Sequence, residues 1–369
     1  MGITRREFLV GSLFLGGSLL LAPHRLLGAD GEKKAWHPAY GRLEDEGNLG
    51  QRIDQAYACF SACELCPRRC GVNRTRGEHG FCRASARAVV YSAQAHFGEE
   101  VALVGNHGSG TIFFSHCNLR CVFCQNWPIS HEGRGREIED HELAEMMIHL
   151  QRIGCHNINL VTPTHMMPNI LKATQIAYRK GLRLPLVYNT SGYERVEILK
   201  LLDGIVDIYL PDMKYMDSDK SAKYSAGASD YPEFTKKAIV EMHRQVGVLQ
   251  LDDRSIARRG LVIRHLVMPN RVAGTEKFVR WVAETLPKSS YVNIMAQYHV
   301  DYKAYDYPEI ARAITVDEFL AAMAAADRWG LTNLDPRSVA IRNIYAKQRQ
   351  ESWERSPQWR GQTYSAQPA

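Results

Sequence analysis

Residues 108–126 of the 369-residue chain read GSGTIFFSHCNLRCVFCQN, and this stretch decides the fold. Its first half, Thr111–Ser115, is β-branched and aromatic, which predicts a buried strand. A run of three cysteines, Cys117, Cys121 and Cys124, begins two residues later with the spacing C-x3-C-x2-C. The sequence therefore places three thiols in the loop that follows the carboxyl end of a buried strand.

The nine cysteines are concentrated in one part of the chain. Eight lie between residues 59 and 124, whereas a disulfide framework is typical of small secreted domains. Three thiolates can hold three irons of a [4Fe–4S] cluster and leave the fourth iron open for a cofactor or substrate. A zinc site completed by His116 or His131 is the competing interpretation.

Short apolar runs alternate with amphipathic stretches from residue 111 to residue 329, which predicts a parallel sheet covered by helices. The predicted strands are Thr111–Ser115, Asn157–Val161, Leu184–Tyr188, Ile205–Leu210, Leu261–Val267 and Tyr291–Met295. The predicted helices are His141–Arg152, Asn169–Lys180, Tyr193–Leu202, Tyr231–Val246, Glu276–Leu286 and Val316–Trp329. Six repeats favour an α/β fold with a partial (β/α)6 TIM-like barrel, and a doubly wound sheet is the alternative. In both folds, ligands bind at the carboxyl ends of the strands.

The cysteine loop and the strand ends resemble one family. With the aromatic Phe123 before the last cysteine, the loop resembles the radical S-adenosylmethionine (SAM) family, in particular the activating enzyme of pyruvate formate-lyase and its uncharacterised relatives. Further similar segments are NINLVTPTH at 157–165, VYNTSGY at 187–193, VDIYLPDMKY at 206–215 and RHLVMP at 264–269. The Gly-Gly-Glu element expected after the second strand is absent, and TPTH at 162–165 stands in its place.

The resemblance implies an enzyme that reductively cleaves SAM to a 5′-deoxyadenosyl radical, which abstracts a hydrogen atom from a substrate. It implies that Asp212 and Lys214 approach the methionyl part of SAM, while Asn189 and Thr190 match a family element loosely. Arg264 is a candidate for the SAM carboxylate or ribose. The partners implied are a flavodoxin-like or ferredoxin-like electron donor and a protein substrate of the glycyl-radical class.

A second cysteine group lies upstream, where Cys63, Cys66, Cys70 and Cys82 are spaced C-x2-C-x3-C-x11-C. Four thiolates can close a zinc site or a fully ligated iron–sulfur cluster. Unliganded thiols, or disulfides formed after export, are the alternatives. Cys59 gives this group the C-x3-C-x2-C spacing too, but no predicted strand precedes it.

The two ends of the chain differ from its body. Residues 1–29, with Arg5-Arg6 before an apolar run, resemble a twin-arginine export signal, which predicts a periplasmic or membrane-associated protein with no stable membrane span. A membrane-surface helix and a cytoplasmic location are the alternatives. We expect a cysteine-rich lobe at 30–95, the barrel at 96–335 and a polar tail at 336–369.

The charge of the chain excludes one class of partner. Its net charge is +6, and no basic run with interleaved aromatic residues stands out, so we expect no nucleic-acid partner. The alternatives to a radical SAM enzyme are an iron–sulfur electron carrier and a zinc-stabilised binding module.

Overall fold

The computed structural model describes residues 36–354, and a compact unit begins at His37. The strands of this part are β1 (Ala88–His96), β2 (Ser109–Phe114), β3 (Arg136–Ile138), β4 (Ile158–Val161), β5 (Leu186–Thr190), β6 (Ile208–Pro211), β7 (Gln250–Leu251), β8 (Ala257–Leu266) and β9 (Tyr291–Met295). The helices are α1 (Ala39–Asp45), α2 (Leu49–Ala58), α3 (Val101–Val104), α4 (Trp127–Ser130), α5 (Asp140–Arg152), α6 (Met167–Arg179), α7 (Val196–Leu199), α8 (Ser218–Tyr224), α9 (Tyr231–Val246), α10 (Thr275–Thr285), α11 (Val316–Trp329) and α12 (Pro336–Glu354).

Six strands form the parallel part of the sheet, in the order β2-β4-β5-β6-β8-β9. This order follows the chain without the reversal that defines a doubly wound sheet. On one side, β2 pairs with the antiparallel β1, so the sheet does not close among the described residues. The predicted partial (β/α)6 barrel is confirmed.

Most predicted elements lie within a few residues of the observed ones, and β9, α9 and α11 have the predicted bounds. The helix predicted over Tyr193–Leu202 is wrong, because α7 covers only Val196–Leu199 and a 3-10 turn follows it. The residues before Val196 make buried side-chain contacts instead of continuing the helix. Tyr193 donates a hydrogen bond to Asp230, and Glu194 accepts one from Thr164.

The strand β1 was not predicted, and it lies inside the expected cysteine-rich lobe. It pairs antiparallel with β2 over six residue pairs, from Val90 with Phe114 to His96 with Ser109. Tyr40, Phe60 and Leu65 pack in the same hydrophobic core as Ile112 of β2. The cysteine-rich segment is therefore part of the barrel's core, while the predicted signal at residues 1–29 lies outside the described residues.

The predicted polar tail at 336–369 needs correction, because Pro336–Glu354 is the helix α12. Its polar residues dock it on the barrel: the buried Ser338 hydroxyl donates to the carbonyl of Ile294 in β9 at 2.8 Å. Arg337 donates to the carbonyls of Phe97 and Gly98. Ile341 and Tyr345, one helical turn apart, pack on the core beside these polar contacts, and two such residues are too few for a sequence pattern to detect. No helix within residues 36–354 is long and apolar enough to cross a membrane.

Candidate functional site

A cavity of about 240 Å³ lies at the carboxyl ends of the parallel strands. All eight residues predicted for the cluster and for SAM line it: Cys117, Cys121, Cys124, Asn189, Thr190, Asp212, Lys214 and Arg264. They come from the loop after β2 and from the ends of β5, β6 and β8. Parallel strands bring residues 147 positions apart, such as Cys117 and Arg264, to the same edge of the sheet.

The cysteine loop is held in a tight conformation. His116 and Arg120 have left-handed backbones with φ of 73° and 54°. The amide of His116 donates to the carbonyl of Ile129, and the amide of Val122 donates to that of Tyr224. Leu119 is fully buried between the first two cysteines. These contacts fix the direction of the three thiols without help from a bound group.

Each thiol of the loop has its own hydrogen-bond partner. The Ser225 hydroxyl donates to Cys121 Sγ at 3.1 Å, and the amide of Leu119 donates to Cys117 Sγ at 3.3 Å. Ser130 Oγ lies 3.0 Å from Cys124 Sγ. Burial raises the pKa of the Cys121 thiol to about 12, so a bound cation is needed to ionise it at neutral pH.

The donor set fits an iron–sulfur cluster with one open iron. Within residues 36–354, no three His, Cys, Asp or Glu side chains are close enough together to hold one metal ion. A [4Fe–4S] cluster binds each thiolate to a different iron, so its ligands stand further apart than those of a single ion. His131, a candidate ligand in the zinc interpretation, bonds to the carbonyl of Cys121 at 3.1 Å.

Charged side chains form a connected network beside the cysteines. Lys214 Nζ and Arg264 Nε donate to the two carboxylate oxygens of Asp212 at 2.7 and 2.8 Å. Burial would raise the pKa of Asp212, but Arg264 and Lys214 hold it below its ordinary value. Asp212 is therefore ionised at neutral pH, and both of its oxygens have cationic partners.

All three nitrogens of the Arg264 guanidinium have protein partners. Besides Asp212, they donate to Asn189 Oδ1 at 2.5 Å and to Glu99 Oε2 at 3.4 Å. Arg264 therefore ties the ends of β5 and β6 to the loop before α3. Sequence reasoning missed Glu99 and its neighbour Glu100. The side-chain amide of Asn293 donates a hydrogen bond to Glu100 at 2.9 Å. Adjacent glutamates normally mark an exposed surface, and no sequence signal identified these two as buried.

The loop after β5 requires its glycine. Gly192 has φ of +80°, and a Cβ there would lie 2.3 Å from the carbonyl oxygen of Asp212. The missing side chain lets the Asn189–Gly192 loop pack against the end of β6. Beneath it, Glu194 is fully buried and accepts hydrogen bonds from Thr164 and Thr190, each at 2.5 Å. Burial raises the pKa of Glu194 to about 7.

The segment at residues 162–165, which stands where the Gly-Gly-Glu element was expected, lies partly in the cavity and partly in the core. Thr162 lines the cavity and has a left-handed backbone with φ of 60°, a conformation that glycine adopts most readily. The next residues turn away from the cavity, because His165 is buried and bonds to the carbonyl of Ser115 at 2.7 Å. Burial lowers the pKa of His165 to about 3, so it is a neutral structural histidine.

An aromatic wall closes the cavity beside the cysteines. Phe123 is buried and packs edge-on against Tyr215, with ring centroids 6.2 Å apart. It also contacts Tyr298, which lines the same cavity. An apolar wall of this kind keeps water from the cluster position.

The upstream cysteines lie in a different setting. Cys63, Cys66 and Cys82 are buried, and none of the nine cysteines, which all lie within the described residues, is paired in a disulfide. The amide of Phe81 donates to Cys70 Sγ at 3.2 Å, and backbone amides at Arg68 and Ala84 donate to Cys66 and Cys82. Burial raises the pKa of Cys66, and neighbouring Cys82, Cys63 and Cys70 would raise it further when ionised. The four sulfurs are thus close enough to interact, and three of them receive amide donors.

Comparison with known proteins identifies the family of the chain. A model of the radical SAM superfamily matches residues 111–248. An uncharacterised protein of Methanocaldococcus jannaschii is 35% identical over 294 residues, covering 77% of this chain and 79% of that protein. A second one from the same organism is 26% identical over 292 residues, covering 70% and 78%. The crystal structure of a radical SAM methyltransferase from Sphaerobacter thermophilus is 13% identical, covers 80% of this chain and 91% of that chain, and has a TM-score of 0.43. The chain described here belongs to the radical SAM superfamily.

Proposed function

We propose that the protein binds a [4Fe–4S] cluster through Cys117, Cys121 and Cys124 and uses it to cleave SAM reductively. The observation that carries the proposal is that the three thiols and the polar strand ends line one cavity. When bound, the cluster and SAM supply the electron and the 5′-deoxyadenosyl radical that abstracts a hydrogen atom. The residues of the chain position the cluster and SAM, provide charged groups beside them and exclude water.

The side chains divide this work among them. Lys214 lies close enough to influence the pKa of the Cys121 thiol, so its ammonium group favours a negatively charged ligand beside the cluster. Asp212 orients Lys214, and Arg264 orients Asp212, through the hydrogen bonds described above. Because the nitrogens of Arg264 already have partners, we propose that it positions Asp212 and Asn189. The direct contact with SAM then falls to Lys214, Asn189 and Thr190.

The first test is release of 5′-deoxyadenosine. Reconstituted protein with dithionite and SAM should release it. Cys121→Ala should abolish the release, because one of the three iron ligands is lost. Cys155→Ala is the matched control, since Cys155 is a buried cysteine outside the lining of the cavity. Clusters without 5′-deoxyadenosine in the wild type would favour an electron carrier instead.

SAM binding is tested separately. Lys214→Ala should weaken the binding free energy of SAM by about 1–3 kcal/mol, the effect of losing a charged hydrogen bond, and so raise its dissociation constant. Lys223→Ala is the control, because Lys223 pairs with Glu309 outside the lining of the cavity. An unchanged dissociation constant in folded Lys214→Ala would make the Asp212–Lys214 pair purely structural.

For the substrate, we propose a segment of a protein, as in the activation of glycyl-radical enzymes. The resemblance of the cysteine loop to the activating enzyme of pyruvate formate-lyase supports this proposal. A peptide needs only to place one hydrogen at the mouth of the cavity. The electron donor that we propose is a flavodoxin-like or ferredoxin-like protein. Deuterium transfer into 5′-deoxyadenosine from a labelled candidate protein tests the substrate.

At the upstream group, we propose a second metal on Cys63, Cys66, Cys70 and Cys82, either zinc or an iron–sulfur cluster. The spacing of the described His, Cys, Asp and Glu side chains, no three of which are close enough for a single ion, favours the cluster here as well. The amide donors to three of these sulfurs support a bound metal, because metal thiolates commonly accept such bonds. Metal analysis of the purified chain distinguishes the two metals.

We also propose export by the twin-arginine route, on the strength of Arg5-Arg6 and the apolar run after them. Replacing both arginines with Lys should hold the protein in the cytoplasm, because the route reads arginine specifically. Cell fractionation of wild type and variant tests this. An unchanged location would favour a membrane-surface helix, and wild-type protein found only in the cytosol with residues 1–29 attached would exclude export.

A further inference from the structure

We propose that Ser225 and Ser130 are positioning residues that raise the reduction potential of the cluster. This inference rests on the proposed function, since it concerns the cluster held by Cys117, Cys121 and Cys124. The two serines lie 95 positions apart in the chain, on unrelated elements, and each directs its hydroxyl at a different thiol of the same loop.

Both contacts become donor bonds once the cysteines bind metal. Ser225 Oγ is 3.1 Å from Cys121 Sγ, and Ser130 Oγ is 3.0 Å from Cys124 Sγ. A metal-bound thiolate has no proton, so it can only accept, and the hydroxyl must donate. Both serines are buried: Ser225 is fully enclosed, and Ser130, which is 7% exposed, lines the cavity. A donor bond withdraws charge from the sulfur and stabilises the reduced cluster more than the oxidised one.

Ser225 is held in place from two sides. Tyr215, itself buried, has its hydroxyl 3.0 Å from Ser225 Oγ. Since Ser225 donates to the thiolate, the Tyr215 hydroxyl donates to Ser225, and bonds in such a chain strengthen one another. On the backbone side, Arg68 Nη2 donates to the Ser225 carbonyl at 3.1 Å.

Arg68 gives the upstream group a part in this arrangement. It follows Cys66 by two residues and also donates to the carbonyls of Asn118 and Ala226, at 3.1 and 3.0 Å. One guanidinium therefore fixes both the cysteine loop, at Asn118, and the residue that bonds to Cys121. These three bonds join the segment after Cys66 to the cysteine loop and to Ser225.

The experiment is a redox titration of the reconstituted full-length protein, followed by electron paramagnetic resonance. Ser225→Ala and Ser130→Ala should each lower the ratio of reduced to oxidised cluster at a fixed potential about tenfold, which is about 59 mV for one electron. Tyr215→Phe should lower it less, and Ser225→Thr, which keeps the hydroxyl, should restore the wild-type potential. Ser221→Ala is the matched control, since Ser221 is equally buried on α8 but donates to the carbonyl of Ser218.

The outcomes separate this inference from the proposed function. Potentials of both alanine variants equal to that of Ser221→Ala would overturn the role of the serines, even with SAM cleavage intact. If Ser225→Ala does not retain its cluster, Ser130→Ala decides, because its bond lies on another thiol. A wild type that forms the cluster but releases no 5′-deoxyadenosine would refute the proposed function and leave the potential shift measurable.

Discussion

The two cysteine groups have the same kind of side chain but different surroundings. At the upstream group, backbone amides point at three of four sulfurs, and none of these cysteines lines the cavity at the strand ends. At the downstream group, three thiols face that cavity, and a lysine, an aspartate and an arginine stand beside them. Four ligands close a metal site, whereas three leave an open position. This difference is the basis on which we propose a structural role upstream and a chemical role downstream.

The largest expected effect is the complete loss of one metal with retention of the other. Changing Cys117, Cys121 and Cys124 to Ala should remove the open cluster and leave the upstream metal bound. Changing Cys63, Cys66, Cys70 and Cys82 should remove the upstream metal and lower stability. Metal analysis and absorption spectra of both variants measure this. Loss of both metals from a folded single-group variant would contradict two independent sites.

The second prediction concerns the buried charges that only the downstream group has. Arg264→Met should lower the free energy of unfolding by about 3–5 kcal/mol, because it leaves Glu99 buried without its cation and Asp212 with Lys214 alone. Lys237→Met is the control, since Lys237 pairs with Glu233 on the exposed side of α9. Denaturant titration of both variants is the measurement. A loss no larger than that of the control would mean that the network contributes little to stability.

The third prediction is a pH dependence beneath the cavity. The folded-state pKa of Glu194 is about 7 against an ordinary 4.5, because burial favours the protonated carboxyl group. The contribution of this group to the free energy of unfolding is therefore fully present below pH 4.5 and is lost as the pH rises to about 7. The loss amounts to about 3 kcal/mol. Glu194→Gln cannot ionise and should remove this part of the decline. Parallel pH profiles of unfolding free energy for wild type and variant would exclude the assignment.

The smallest expected effect is confined to the upstream group. A Cβ at Gly80 would lie 2.8 Å from Cys70 Sγ, so Gly80→Ala should displace that sulfur and weaken upstream metal binding about tenfold. Gly50→Ala in α2 is the control, because the nearest atom to its Cβ is 4.0 Å away. Competition with a chelator measures the affinity. A simultaneous loss of downstream cluster would show that the two groups are not separable.

Local pattern was enough to predict the six parallel strands. Parallel strands place their carboxyl ends at one edge, which put Asp212 and Lys214 at the end of β6. Their assignment to SAM came from the resemblance to the family. Glu99, Ser130 and Ser225 could not be assigned to the site, because each reaches the site from a loop or helix end whose position depends on contacts far along the chain. The strand β1 was missed for a related reason, as its exposed residues, such as Tyr91, obscure its alternation.

The three hydrogen bonds that Arg68 donates, here called the Arg68 clamp, also have a consequence for biosynthesis. Its three acceptors follow it by 50, 157 and 158 residues. At about 5–20 residues per second, a ribosome needs roughly 8–30 seconds to extend the chain from Arg68 to Ala226. From the synthesis of Cys82 onward, all four upstream cysteines are present, while Ser225 and Ala226 are the last acceptors of the Arg68 clamp to be made. The proposed upstream metal can therefore enter a nascent chain whose barrel is incomplete, before the cluster is inserted downstream.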